Sequence, residues 1–111
     1  MATHKFAKEM GPLSDQITLS FLQEYIRKKD HEPELKHAYF LKLIEEVGEL
    51  SEVLLKGRRM EGQNIKGTIE EELYDVLYYV LALANVYDVD LEQSFRLKEE
   101  LNKLKYGRSL S

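Results

Sequence analysis

Between residues 34 and 56, apolar side chains return at every third or fourth position. Ala38, Leu41, Ile44, Val47 and Leu54 fall on one stripe, and Gly57 stands just past its end. A strand alternates with a period of two, so this spacing predicts one long amphipathic helix, closed by a glycine free to take a left-handed cap. The rest of the chain follows the same grammar. In "TLSFLQEYIRKKD", Thr18 is placed to cap a helix that puts Leu19, Leu22 and Ile26 on one face, with Phe21 and Tyr25 beside them, until residues 30–33 break it at Pro33. Thr68 and Glu71 spell a capping box ahead of a helix over 69–86, whose inner stripe is Leu73, Val76, Leu77, Val80 and Ala84. Asp90 and Gln93 spell a second box, opening a helix to about residue 105 with Gly107 beyond it. The connection "GRRMEGQNIKG" is a basic loop punctuated by glycine. Six Gly and two Pro among 111 residues leave little material for a turn-rich β fold. The expectation is one all-α, four-helix bundle over residues 14–107, with a flexible amino-terminal tail at 1–13 and a short tail at 108–111.

Several functional classes fall away on composition. The absence of cysteine excludes disulfides and thiolate chemistry. No apolar run approaches the roughly 18 residues that span a bilayer, and "MATHKFAKEMG" lacks the apolar centre of a signal peptide, so no membrane partner and a cytoplasmic location are expected. A net charge of −4 argues against a nucleic-acid partner, for which a basic stripe is the usual footprint.

Acidic residues interrupt the apolar stripes of the two longest helices. Glu46 and Glu49 are three apart, and Glu72 and Asp75 repeat the interval. On a helix that spacing sets side chains about 5–6 Å apart. Packed helices lie roughly 8–10 Å apart, so two facing pairs would enclose four carboxylates in one small cavity. Desolvated together, such groups must take up protons or a cation. Hard oxygen ligands suit magnesium or manganese, and magnesium binds phosphate oxygens well, which points to a polyphosphate substrate. A plainer reading stands beside this one. Acid pairs at this spacing are common on solvated helix faces, and Glu71 and Glu72 lie in a first turn, where the helix dipole favours negative charge. Against it, Val47 lies between the first pair, and Leu73 and Val76 bracket the second. Gly48, in mid-helix, costs about 1 kcal/mol relative to Ala and is expected where something approaches the backbone closely. Spacing alone leaves both readings open.

"EEVGE", followed after 22 residues by "ELYD", resembles the EExxE…ExxD signature of the MazG-like all-α nucleotide pyrophosphohydrolases. "DVLYYVLALANVYDVDLEQSF" and "LKEELNKLKYG" are similar to the segments that follow in that family, so the likeness spans roughly residues 38–106. The resemblance implies an oligomeric four-helix MazG-like bundle that hydrolyses nucleoside triphosphates to a monophosphate and pyrophosphate. Magnesium would be the cofactor, with manganese possible. Carried over by position, Glu46, Glu49, Glu72 and Asp75 would hold the metal, with Glu45 orienting or deprotonating the attacking water. Lys98 and Asn102 would contact phosphate or sugar, with Lys105 and Tyr106 on the same stripe, and Tyr79 would touch sugar or base. A homodimer or homotetramer is implied, its pocket lined partly by a neighbour.

The chain departs from the family at the base. It has no tryptophan, and Lys56 stands where the dCTP-hydrolysing branch can place one. A base pocket would have to come from Phe21, Tyr25, Phe40 or His37. Arg58, Arg59 and Lys66 could reach a polyphosphate or serve as a solvated connection. Two rivals belong to other classes. A di-iron bundle needs two Glu-x-x-His motifs, and "ELKH" supplies one. A non-catalytic helical adaptor would use Tyr39, Tyr74 and Tyr78 as a binding face.

Overall fold

Threonine and aspartate caps set where the helices begin. In a computed structural model, which describes residues 17–106, Thr18 accepts the Phe21 N–H at 3.0 Å and starts α1, Leu19–Lys29. Pro33 opens a 3-10 turn, Pro33–Leu35, before α2 runs over Lys36–Lys56. The long helix therefore starts two residues later than its periodicity predicts, because the proline lacks an N–H and a tight turn forms first. Gly57 closes α2 in the left-handed region at φ 64°, donating to Leu54 and Val53. After the loop, α3 covers Ile69–Val86 and α4 covers Leu91–Tyr106, with Asp90 accepting the Gln93 N–H at 3.0 Å. The box before α3 closes differently from the expected form. Thr68 Oγ1 accepts the Glu71 N–H, but Glu71 Oε1 accepts from Gly67, at 2.7 Å, because the Thr68 N–H is taken by the Ile65 carbonyl. The tails expected at 1–13 and 108–111, and Gly107 as a helix stop, lie outside the described residues. No helix among the described residues is long and apolar enough to cross a membrane.

The described residues thus form an all-α, four-helix fold. α2 packs along α3, α1 packs on α3, and α4 meets the others chiefly through α1. The core gathers at the carboxy-terminal half of α3, where Leu81, Ala82 and Val86 pack with Ile26 and Tyr39. Leu19, Leu22, Tyr78 and Leu91 pack around them. A buried amide pair ties the elements together. Asn85, with no exposed surface, accepts from Gln23 Nε2 at 3.0 Å and donates to the Gln23 carbonyl at 2.8 Å. Gln23 also donates to the Val89 carbonyl and accepts the Leu91 N–H, so one side chain of α1 holds the turn between α3 and α4.

The expected inward stripe of α2 is corrected here. Leu41 is 53% exposed, and Ala38, Ile44, Val47 and Leu54 also face solvent in the single chain, as do Leu73 and Leu77 of α3. The reason is length. α1, with 11 residues, reaches about 16 Å, whereas α2, with 21, reaches about 31 Å, so α1 covers only part of the α2–α3 pair. Gly48 is exposed too, and a Cβ there would meet nothing within 4 Å, so none of the described residues makes the expected close approach.

Candidate metal centre

The hairpin of α2 and α3 sets acid against acid. Glu46 projects from α2, and Glu72 and Asp75 project from the first two turns of α3, so that one carboxylate oxygen from each lies within 4.8 Å of the others. Glu46 and Glu72 are each only 8% exposed, and Asp75 is half-buried. Oε1 of Glu46 and Oε1 of Glu72 are shielded from solvent and have no hydrogen-bond donor. Carboxylates brought this close and shielded from water favour keeping a proton or taking up a cation.

Burial is the main cause of the resulting electrostatics, and like charge adds to it. Glu72 is pushed up to about 7 by desolvation, then by Asp75, Glu49 and Glu46. Glu46 is raised by desolvation and by the charges of Glu49 and Asp75, and Asp75 by desolvation, Glu71 and Glu49. Glu49 itself is exposed and stands outside the three-residue group, although its charge acts on all three members. Among the described residues no other group of histidines, cysteines or acids has this geometry. The di-iron alternative finds no support, since Glu34 lies in the 3-10 turn and His37 is exposed in the first turn of α2.

Glu45 points elsewhere. Its carboxylate pairs with Lys42 at 2.8 Å on a half-exposed face, outside the acid group. Lys42, which the sequence reading passed over, is the cation of this neighbourhood: it draws Glu46 and Asp75 downward and lies 5.8 Å from the centroid of the Tyr79 ring. Its signal was present, three residues before Glu45 and four before Glu46, which is one helical turn. Tyr79 lies one turn beyond Asp75 and, with Lys42, Tyr39, Asp30, Glu32, Leu35 and Ala38, lines a cavity of about 160 Å³.

The tyrosines do not form an exposed face. Tyr39 and Tyr78 donate to the two oxygens of Asp30 at 2.7 and 2.8 Å, locking the end of α1 to α2 and α3, while Tyr74 remains about half exposed. The aromatic candidates for a base pocket occur as two separate pairs, Phe21 with Tyr25 and His37 with Phe40. Lys98, Asn102 and Lys105 lie on α4, and because α4 packs chiefly on α1, the single chain does not bring them to the acids. Tyr106 ends α4, and its side chain lies outside the described residues.

Comparison with known proteins bears on the family and the fold. The family described as the MazG nucleotide pyrophosphohydrolase domain matches residues 35–105. Crystal structures of iMazG from Vibrio DAT 722 are similar over most of the chain. An amino-terminally tagged form shares 54% identity at a TM-score of 0.77, covering 83% of this chain and 100% of that one. A carboxy-terminally tagged form, also 54% identical, has a TM-score of 0.75 and covers 78% of this chain and 99% of that one. No curated protein matches. On the extent of the family match and the identity to iMazG, the chain belongs to the MazG nucleotide pyrophosphohydrolase domain family.

Proposed function

We propose that this chain is a magnesium-dependent hydrolase, able to use manganese, that splits a nucleoside triphosphate into a monophosphate and pyrophosphate. The observation that carries the reading is the pair of buried, donorless carboxylate oxygens on Glu46 and Glu72, set within reach of Asp75. A desolvated three-acid group with two unsatisfied oxygens fits a hard divalent cation and little else. Glu46, Glu72 and Asp75 would hold it, with Glu49 closing the solvent side. When bound, such an ion neutralises phosphate charge and acidifies a coordinated water.

The chain's own residues supply the rest. Glu45, whose carboxylate stands outside the acid group and pairs with Lys42, is assigned the proton of the attacking water only by its place beside Glu46 in the family signature. Lys42 offers an ammonium beside the acids for a phosphate oxygen, while its pairing with Glu45 fixes that carboxylate. Tyr79 borders the adjoining cavity, where its ring can meet the sugar or base. Lys98, Asn102, Lys105 and Tyr106 contact the substrate from a neighbouring copy, in a homodimer or homotetramer. The support for that assembly is the exposed apolar seam of Leu41, Ile44, Val47, Leu54, Leu73 and Leu77, which a second copy would cover.

Product analysis tests the reading. With magnesium and a panel of nucleoside triphosphates, monophosphate and pyrophosphate should appear in equal amounts, and chelator should stop both. Diphosphate and orthophosphate as the products would overturn it.

A further inference from the structure

The loop joining α2 to α3 is built, not slack. Gly57, Gly62 and Gly67 all take positive φ, and Glu61 and Asn64 pair in an isolated antiparallel bridge. The first turn of α3 fastens the loop from below. Glu70 accepts from Arg59 Nε at 2.7 Å and from the Met60 N–H at 2.9 Å, and Glu71 accepts the Gly67 N–H. The Ile69 N–H closes the base on the Arg58 carbonyl at 2.8 Å. These contacts use up the two acids and Arg59. Among the described residues, Lys56, Arg58 and Lys66 are left with no ion pair or side-chain hydrogen bond, and all three line one open cavity of about 400 Å³ together with Arg59, Asn64 and Thr68. The Arg58 guanidinium lies across Gly67, 3.9 Å from where a Cβ would stand. One free carboxylate, Glu61, shares the wall.

Unpaired cations gathered around one cavity, in a chain of net charge −4, call for an anion of matching multiple charge. We propose that this loop is an anion subsite for a diphosphate or longer polyphosphate, held chiefly by Arg58 and Lys66 with Lys56 at the edge. Guanidinium and ammonium groups at fixed spacing suit phosphate oxygens, and Asn64 adds a neutral donor. Thr68 lies one turn, about 6 Å along the helix, before Glu72, so the subsite borders the acid centre without sharing a residue with it. It goes beyond the proposed hydrolysis and does not depend on it.

The test titrates inorganic pyrophosphate into the full chain by calorimetry, with chelator present so that no metal contributes. Wild type and Glu72→Gln should bind alike, and Arg58→Gln/Lys66→Gln should bind about tenfold more weakly or worse, the scale of one lost charge-assisted contact. Rising salt should erode the wild-type affinity. A Lys66→Arg variant should retain binding, and melting curves of each variant check that it folds. If nucleotide hydrolysis by the double variant shows a raised KM at unchanged kcat, the site handles the substrate's own terminal phosphates. If KM is unchanged while pyrophosphate binding falls, the site serves free polyphosphate. Either result supports the subsite. Equal pyrophosphate affinity in wild type and the double variant overturns it.

Discussion

Glu72 concentrates the tension between stability and function. Its ordinary value is 4.5 and the fold raises it to about 7, so the native state binds its proton more tightly than the unfolded chain does. The stability it confers is therefore full below pH 4.5, falls as pH rises toward 7, and is replaced above that by a penalty for the buried charge. Glu72→Gln, a neutral mimic of the protonated acid, should leave the metal-free melting temperature unchanged near pH 4 and raise it on the order of 5 °C at pH 8. Melting curves in chelator at the two pH values check this; a variant less stable at both would contradict it. Lys42→Gln tests a different residue by a different readout. With the ammonium gone, KM for nucleotide should rise about tenfold, the scale of a charge-assisted phosphate contact, and the variant should still fold. Steady-state kinetics decide it, and an unchanged KM would remove Lys42 from the substrate site. At this scale the sequence was informative about the acids, whose three-residue spacing put Glu46, Glu72 and Asp75 together. It was less informative about Glu49 and Glu45. Their place depends on the rotation of α2 about its axis, which the spacing of acids within one helix does not define.

Caps and breakers made the helices legible. Thr18, Gly57, Thr68 and Asp90 each mark a boundary where the structure has one. Which face each helix buries was harder to read, because apolar periodicity identifies a stripe without saying what covers it. Leu41 and Leu73 stand on the expected stripes and face solvent, whereas Leu81, which lies outside the expected stripe, packs in the core with Ile26 of α1. The polar tie between Gln23 and Asn85 was illegible for a related reason. Each is an ordinary amide in sequence, and only the crossing of α1 over α3 makes them partners. Their junction should be stiff. Asn85→Ala strips buried groups on α1 of their partner and should cost about 2–3 kcal/mol, measured by urea unfolding. A loss below about 0.5 kcal/mol would mean that water replaces the amide without penalty.

For the whole molecule, the open seam sets the expectation. Leu41, Ile44, Val47 and Leu54 of α2 and Leu73 and Leu77 of α3 are all exposed, large apolar side chains in a number that single chains rarely leave in water. Ile44→Asp places a charge in that seam and should convert an oligomer into monomers, read by light scattering at micromolar concentration. Because the α4 contacts are proposed to come from a neighbouring copy, hydrolysis should fall with assembly. Monomeric wild type, or a monomeric variant with full activity, would contradict that arrangement. The expectation of an oligomer comes from family likeness and from the thinness of a bundle of four such helices, and the mismatch between α1 and the longer α2–α3 pair adds a physical motive for it.

Calorimetric titration of manganese into the metal-free protein, for wild type and for Glu72→Gln, addresses the acid centre most directly. Wild type should bind the ion with release of protons near pH 7, because the raised Glu72 carboxyl must ionise to ligate. Heats measured in two buffers of different ionisation enthalpy report that release. Glu72→Gln should bind at least about tenfold more weakly and release fewer protons. Equal affinity and equal proton release in the two proteins would show that the buried carboxylates of α2 and α3 do not form a metal centre.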